Sequence, residues 1–140
     1  MSCIFCGILD GTIPANLVWE DEHTLAFLDS RPVFPGHTLV VPRTHVETLP
    51  ELPDELLGPL FGSARRIAAA IPRALDAHGT FVAVNNKVSQ SVPHLHVHVI
   101  PRKFKDGLRG FFWPRQKYED EAQAEAVAEK IRAAVSEAGA

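Results

Sequence analysis

The chain has 140 residues, 46% hydrophobic and 22% charged, with a formal net charge of −3, a composition that fits one globular domain with its own core. Its longest apolar runs, IAAAI and TLVV, are too short to cross a bilayer, and no basic-then-apolar leader opens the chain, so a cytoplasmic protein with no membrane role is expected. Cys3 and Cys6 are the only cysteines, too few for a disulfide framework and too close for an easy bridge, and they read as thiols or metal ligands.

In chain order, CIFCGILDGTIP reads as a short turn or helix ending at Gly7 or Gly11. Residues 16–20 (NLVWE) and 24–29 (TLAFLD) read as strands around an acidic turn, Asp21-Glu22, which predicts a hairpin. The loop RPVFPGH leads into a strand, TLVVPR, closed by Pro42 and Arg43. From Asp54 to about Ala77, Leu56, Leu57, Leu60, Ala64, Ile67, Ala68, Ile71 and Leu75 recur at helical spacing. Gly79 suits the stop, and Pro59 or Pro72 predicts a kink or a 3₁₀ turn. TFVAVNN is a strand, KVSQSVP a loop, and a further strand lies between Pro93 and Pro101. After the aromatic loop GFFWPR a last helix runs from about Asp120, a candidate cap, to Ala138, with Ala124, Val127, Ala128, Ile131 and Val135 as its core stripe. About five strands, one long inserted helix and one appended helix predict a single α+β domain over 1–140 with an antiparallel sheet.

The stretch SVPHLHVHVIPR carries three of the seven histidines. Their alternation with Leu95, Val97 and Val99 puts His94, His96 and His98 on one face of a strand. This strand lies in the most basic part of the chain: residues 79–115 hold six Lys/Arg against Asp106, a balance of +5 where the remainder carries −8. That favours an anionic ligand or, equally, a solvated basic loop, while the acidic total argues against a nucleic-acid groove. Three imidazoles in a row can bind a metal, but strand residues i and i+4 are about 13 Å apart, too far for all three to reach one ion without leaning together. Alternatively the row serves a phosphorus centre, one neutral ring attacking while its neighbours steady the oxygens. Ordinary packed sheet histidines are the remaining reading.

His94-Leu95-His96-Val97-His98-Val99-Ile100 resembles the His-φ-His-φ-His-φ-φ signature of the histidine triad (HIT) family of nucleotide hydrolases and transferases. CIFCGILDGTIPANLVWEDEHTLAFLD is similar to the start of the small bacterial members, GHTLVVPRTH to their central strand and QSVPHLHVHVIPR to their active-site block, a likeness covering residues 3–118. It implies a HIT-like fold and a homodimer paired through the helix at 54–77. It also implies a purine nucleotide conjugate as substrate, with phosphoramidate or acyl-adenylate linkage. A dinucleoside polyphosphate hydrolase or phosphorylase, and a nucleotide-binding regulatory module with little turnover, are the alternatives.

The resemblance assigns roles to residues. His96 attacks the α-phosphorus and becomes nucleotidylated; His94, His98 and His37 complete the catalytic set, His98 and His37 beside the phosphate. Ser91 and Gln90 match residues that hydrogen-bond the phosphate or leaving group, Asp29 the acid that accepts from the ribose hydroxyls, Asn85 or Asn86 helpers at the sugar, and Trp113 a tryptophan beside the leaving group. From local sequence alone, Asp29 serves as well to cap the turn at Ser30-Arg31-Pro32. Many members carry glycines in the loop before the glutamine, where this chain reads Asn86-Lys87-Val88-Ser89-Gln90. Asn85 and Asn86 are therefore the expected carriers of any positive φ there.

In a subset of the family a cysteine pair binds zinc with two histidines, which match His45 and His94 here. Cys3, Cys6, His45 and His94 would then form a closed structural site that catalysis does not require. The rival to this arrangement is a metalloenzyme that uses the histidine row itself as ligands.

Overall fold

The computed structural model describes residues 3–109 and 114–137. Two compact units divide the chain, one ending at Asp106 and the other beginning at Gly107. The first is built on five antiparallel strands: β1 (Leu17–Glu20), β2 (Thr24–Leu28), β3 (Thr38–Pro42), β4 (Gly79–Ala83) and β5 (Val97–Arg102), in the order β1-β2-β3-β5-β4. β5 is inserted between β3 and β4, so the histidine-bearing strand is interior, paired on both sides. Leu39 and Ala83 flank His98 on its two sides.

Alternation divides the residues between two faces. Ala26, Val40, Leu95, Val97 and Val99 bury against Leu60, Ala64, Ile67 and Ile71 of α2 (Asp54–Leu75). Leu25, Phe27, Leu39 and Val41 face the other way and bury Phe5 of α1 (Ile4–Leu9). β3 is buried along its whole length because both faces are covered. With Val97 and Val99 committed to α2, His96 and His98 fall on the α1 face. The face reading of the sequence holds for His96 and His98, whereas His94 precedes β5 and turns to Cys3 and Cys6.

Several boundaries differ from expectation. Regular pairing in β5 begins at Val97, not after Pro93. The carbonyl of His94 accepts from the His96 ring, 2.8 Å away, and the His94 amide donates to Val92 O, so this backbone is turned to local partners. α2 runs unbroken through Pro59 and Pro72, and the 3₁₀ turn lies ahead of it at Leu49–Glu51. Asp76, not Gly79, ends α2, taking a left-handed conformation at φ 55° while its amide bonds the Pro72 carbonyl. Gly79 instead opens β4.

In the second unit, α3 (Glu121–Glu137) starts where expected: Asp120 Oδ1 accepts from the Gln123 amide at 2.8 Å. Its intended core stripe is not buried. Ile131 and Val135 are exposed by 59% and 55%. No helix among the described residues is long and apolar enough to cross a membrane.

Candidate active site and metal cluster

His96, His98 and His37 meet on the α1 face of the sheet. The ring centroids of His96 and His98 are 4.9 Å apart, and those of His37 and His98 5.1 Å. Hydrogen bonds fix the protons on these rings, because an amide only donates and a carbonyl only accepts. The Val33 amide donates to His37 Nδ1 at 3.1 Å, so neutral His37 carries its hydrogen on Nε2. That hydrogen is donated to His98 Nδ1, 2.9 Å away, which leaves the His98 hydrogen on Nε2, a buried atom without a partner among the described residues. His96 donates Nδ1–H to the His94 carbonyl at 2.8 Å, and its lone pair is therefore on Nε2. One ring offers a nucleophilic lone pair; its neighbour offers an unused donor.

Burial holds these rings neutral. It lowers the pKa of His96 against the opposing pull of the His94 carbonyl and Asp29. It lowers His37 as well, with Asp29 opposing. For His98, burial together with the nearby His96 and His37 rings brings the value down to about 4.

A cleft of about 530 Å³ opens over His96 and His98, with Phe5, Phe27, Asp29 and Ser91 among its walls. Its scale suits a small organic ligand. Asp29 does two things the sequence left open. Its Oδ1 caps the turn by accepting from the Arg31 amide at 2.9 Å, and Oδ2 lies 3.6 Å from His37 Nε2. Other expected residues are engaged elsewhere. Asn86 Oδ1 accepts from the Leu49 amide at 2.8 Å. Gln90 accepts from the Lys87 amide at 2.8 Å and donates to the Glu47 carbonyl at 2.6 Å, stapling the loop to the segment before the 3₁₀ turn. Asn85 is half-buried beyond the end of β4, and Trp113 lies outside the described residues. Positive φ falls on Lys87 (70°) and Ser89 (65°), not on the asparagines. Of the basic side chains in the first unit, Arg31 lines the cleft, whereas Lys87, Arg102, Lys103 and Lys105 do not.

His94 turns toward a second cluster. It donates Nε2–H to the Pro42 carbonyl at 2.9 Å, so its Nδ1 lone pair faces Cys3 Sγ at 3.5 Å, Cys6 Sγ at 3.6 Å and His45 Nδ1 at 3.1 Å. Cys6 Sγ is 3.3 Å from His45 Nδ1. Tetrahedral zinc, with bonds of about 2.3 Å to sulfur and about 2.0–2.1 Å to nitrogen, needs S···N separations of about 3.6 Å and N···N of about 3.4 Å. The observed edges match within a few tenths of an ångström. Cys3, Cys6, His45 and His94 thus have the donor set and the spacing to bind a metal ion.

The HIT domain family matches residues 10–105. Protein hit of Bacillus subtilis is 46% identical over 114 residues, covering 80% of this chain and 79% of that protein. The chain belongs to the HIT family. Another HIT relative, adenosine 5'-monophosphoramidase HNT1 of Saccharomyces cerevisiae, is 34% identical over 83% of this chain and 72% of its own length. The crystal structure of a Zn-bound histidine triad family protein from Mycobacterium smegmatis superposes with a TM-score of 0.74 at 37% identity, covering 96% of this chain and 98% of that one. The α+β architecture and antiparallel sheet are those of a HIT fold.

Nothing in the sequence pattern marks Phe5 or Phe27 as a site residue. Both line the cleft. For Phe5 the available signal is the apolar pair Ile4-Phe5 held between two candidate ligands, which reads equally well as plain core.

Proposed function

We propose that this HIT protein transfers the nucleotidyl group of a purine nucleotide conjugate, of phosphoramidate or acyl-adenylate type, first to His96 and then to water. The observation that carries the reading is the pairing of a free Nε2 lone pair on His96 with the unpartnered Nε2–H of His98 at one cleft. His96 Nε2 forms a bond to the α-phosphorus as the bond to the leaving group breaks; a departing amine takes a proton from solvent through Ser91, and a departing acid leaves as its carboxylate. Water then attacks phosphorus, the N–P bond breaks, and the nucleoside monophosphate leaves. His98, backed by His37, donates to a non-bridging oxygen as negative charge grows on it. Asp29 accepts from the ribose hydroxyls, a task suited to a group that only accepts. A yeast relative named as a monophosphoramidase supports this substrate class.

Zinc held by Cys3, Cys6, His45 and His94 would supply a cross-link between the N-terminal segment and the residues entering β5, with no part in bond breaking. The working unit is read as a single-domain cytoplasmic protein that forms homodimers through α2.

The test is intact-mass analysis after mixing with adenosine 5'-phosphoramidate. The wild-type chain should gain the mass of one adenylyl group, and His96→Ala should not. An unchanged mass together with rapid turnover would rule out the covalent route.

A further inference from the structure

The Phe5 ring is packed edge-on against three others. It stands 5.0 Å from His96 at 87°, 5.3 Å from Phe27 at 68° and 6.0 Å from His94 at 68°, with only 6% of the residue exposed. Among the described residues His96 has one side-chain hydrogen bond, at Nδ1. A bond at one edge lets the ring swing about its long axis, whereas a wall against its face does not. Phe5 at 5.0 Å and His98 at 4.9 Å both pack on the His96 ring, and of the two only Phe5 belongs to the N-terminal helix.

Phe5 itself depends on α1, a helix of six residues, far below the length that is stable alone. Among the described residues, the backbone hydrogen bonds of segment 3–13 all stay within the segment: Gly7 to Cys3, Asp10 to Cys6, Gly11 to Ile8 and Ile13 to Gly7. Side chains therefore tie it to the sheet. Phe5 does so through the core it shares with Phe27 and Leu39, and Cys3 and Cys6 do so through His94 and His45. Cys3 is also the N-cap of α1, so the cluster grips the start of the helix that carries Phe5.

We propose that Phe5 is a positioning residue for His96, holding the imidazole plane so that Nε2 stays turned to the cleft, and that the Cys3-Cys6-His45-His94 cluster governs this by pinning α1. The inference rests on the nucleotidyl-transfer reading only for its kinetic part. The orientation of the His96 ring can be read without any substrate.

The experiment uses ¹⁵N-histidine-labelled full-length chain, zinc-loaded and zinc-stripped, as wild type, Phe5→Leu and Phe5→Tyr, with the His96 signals assigned by His96→Gln. Zinc-loaded wild type should show a single His96 tautomer protonated at Nδ1. Phe5→Leu and stripped wild type should show averaged or mixed signals. With adenosine 5'-phosphoramidate, Phe5→Leu should slow adduct formation by about 10- to 100-fold, the scale of a slightly misplaced reacting group. Phe5→Tyr should recover both the spectrum and the rate.

A Phe5→Leu spectrum identical to wild type overturns the positioning role. A stripped spectrum identical to the loaded one overturns control by the cluster. Should Phe5→Leu fail to fold, stripped wild type and Phe5→Tyr carry the decision. A loaded wild type that forms no adduct refutes the nucleotidyl-transfer reading, and the ring spectra still decide this one.

Discussion

His37 Nε2 lies 2.9 Å from His98 Nδ1, and this contact decides which face of His98 can donate to a ligand. With the Val33 amide occupying the far side of His37, the chain of donors runs in one direction only, toward the cleft. Replacing His37 with Phe removes the donor to His98 Nδ1 and allows the ring to carry its hydrogen on the wrong nitrogen. Adduct formation should then fall by about 10²-fold, the usual scale for losing one donor to a developing oxyanion. His98→Ala should cost as much, and the double variant little more, because the two act as one unit. Single-turnover rates of the four proteins measure this, and an additive double variant would show that the residues work independently.

The same rings set an acid sensitivity. Burial, with His96 and His37 nearby, holds His98 down at about 4 against an ordinary 6.5, and burial also depresses His37. The unfolded chain therefore takes up protons below pH 6.5 that the folded chain refuses until much lower pH. Stability from these groups is complete above the unfolded value and drains away as pH falls toward the folded one. Urea midpoints should be flat from about pH 8 to about pH 7 and decline below about pH 6.5, with a shallower decline in His98→Phe. Adduct formation, which needs a neutral His96, should keep its plateau below pH 6.5 because burial lowers that ring as well. Stability that rises on acidification would contradict the neutral buried rings.

Metal content provides a separate check on the Cys/His cluster. Purified wild type should carry about one zinc per chain, and Cys3→Ser/Cys6→Ser less than about a tenth of that, since thiolates dominate such a site. Chelation should lower Tm by about 5 °C or more in the wild type, the shift that a few kcal/mol of lost ligand binding produces in a domain of this size. The double variant should not respond to chelator. Equal metal content in the two proteins would remove the cluster from consideration.

Residues whose partners are close in sequence were legible, and those fixed by distant partners were not. The alternation of His96 and His98 with Val97 and Val99 revealed the two faces of β5 because a strand has no other way to dispose of such a pattern. The start of that strand was hidden, since whether the His94 carbonyl joins a ladder or accepts from the His96 ring depends on how the sheet packs. Asp76 took the left-handed cap that Gly79 was expected to provide, and Lys87 and Ser89 took positive φ in place of Asn85 and Asn86. In that loop Gln90 supplies the compensation, bonding both the Lys87 amide and the distant Glu47 carbonyl. The CxxC spacing was visible, but the convergence of Cys3 and Cys6 with His45 and His94 required the fold, and Phe5 had no polar chemistry to mark it.

Gly36 links the fold to the site directly, because it precedes His37 and has φ +102°. A Cβ there would collide with Leu75 Cδ1 at the end of α2 and lie 3.1 Å from Pro101 Cγ. Gly36→Ala therefore meets backbone strain of about 1–3 kcal/mol and a contact that the exposed Leu75 side chain must rotate to relieve. Chemical denaturation should show a loss of about 2 kcal/mol or more. Leu75→Ala, introduced alongside, should relieve the clash but not the strain, recovering part of the loss beyond its own effect. Because His37 moves with Gly36, adduct formation should also slow in Gly36→Ala and recover partly in the double variant. A Gly36→Ala protein with wild-type stability and rate would mean that the backbone at this position relaxes without disturbing the His37–His98 contact.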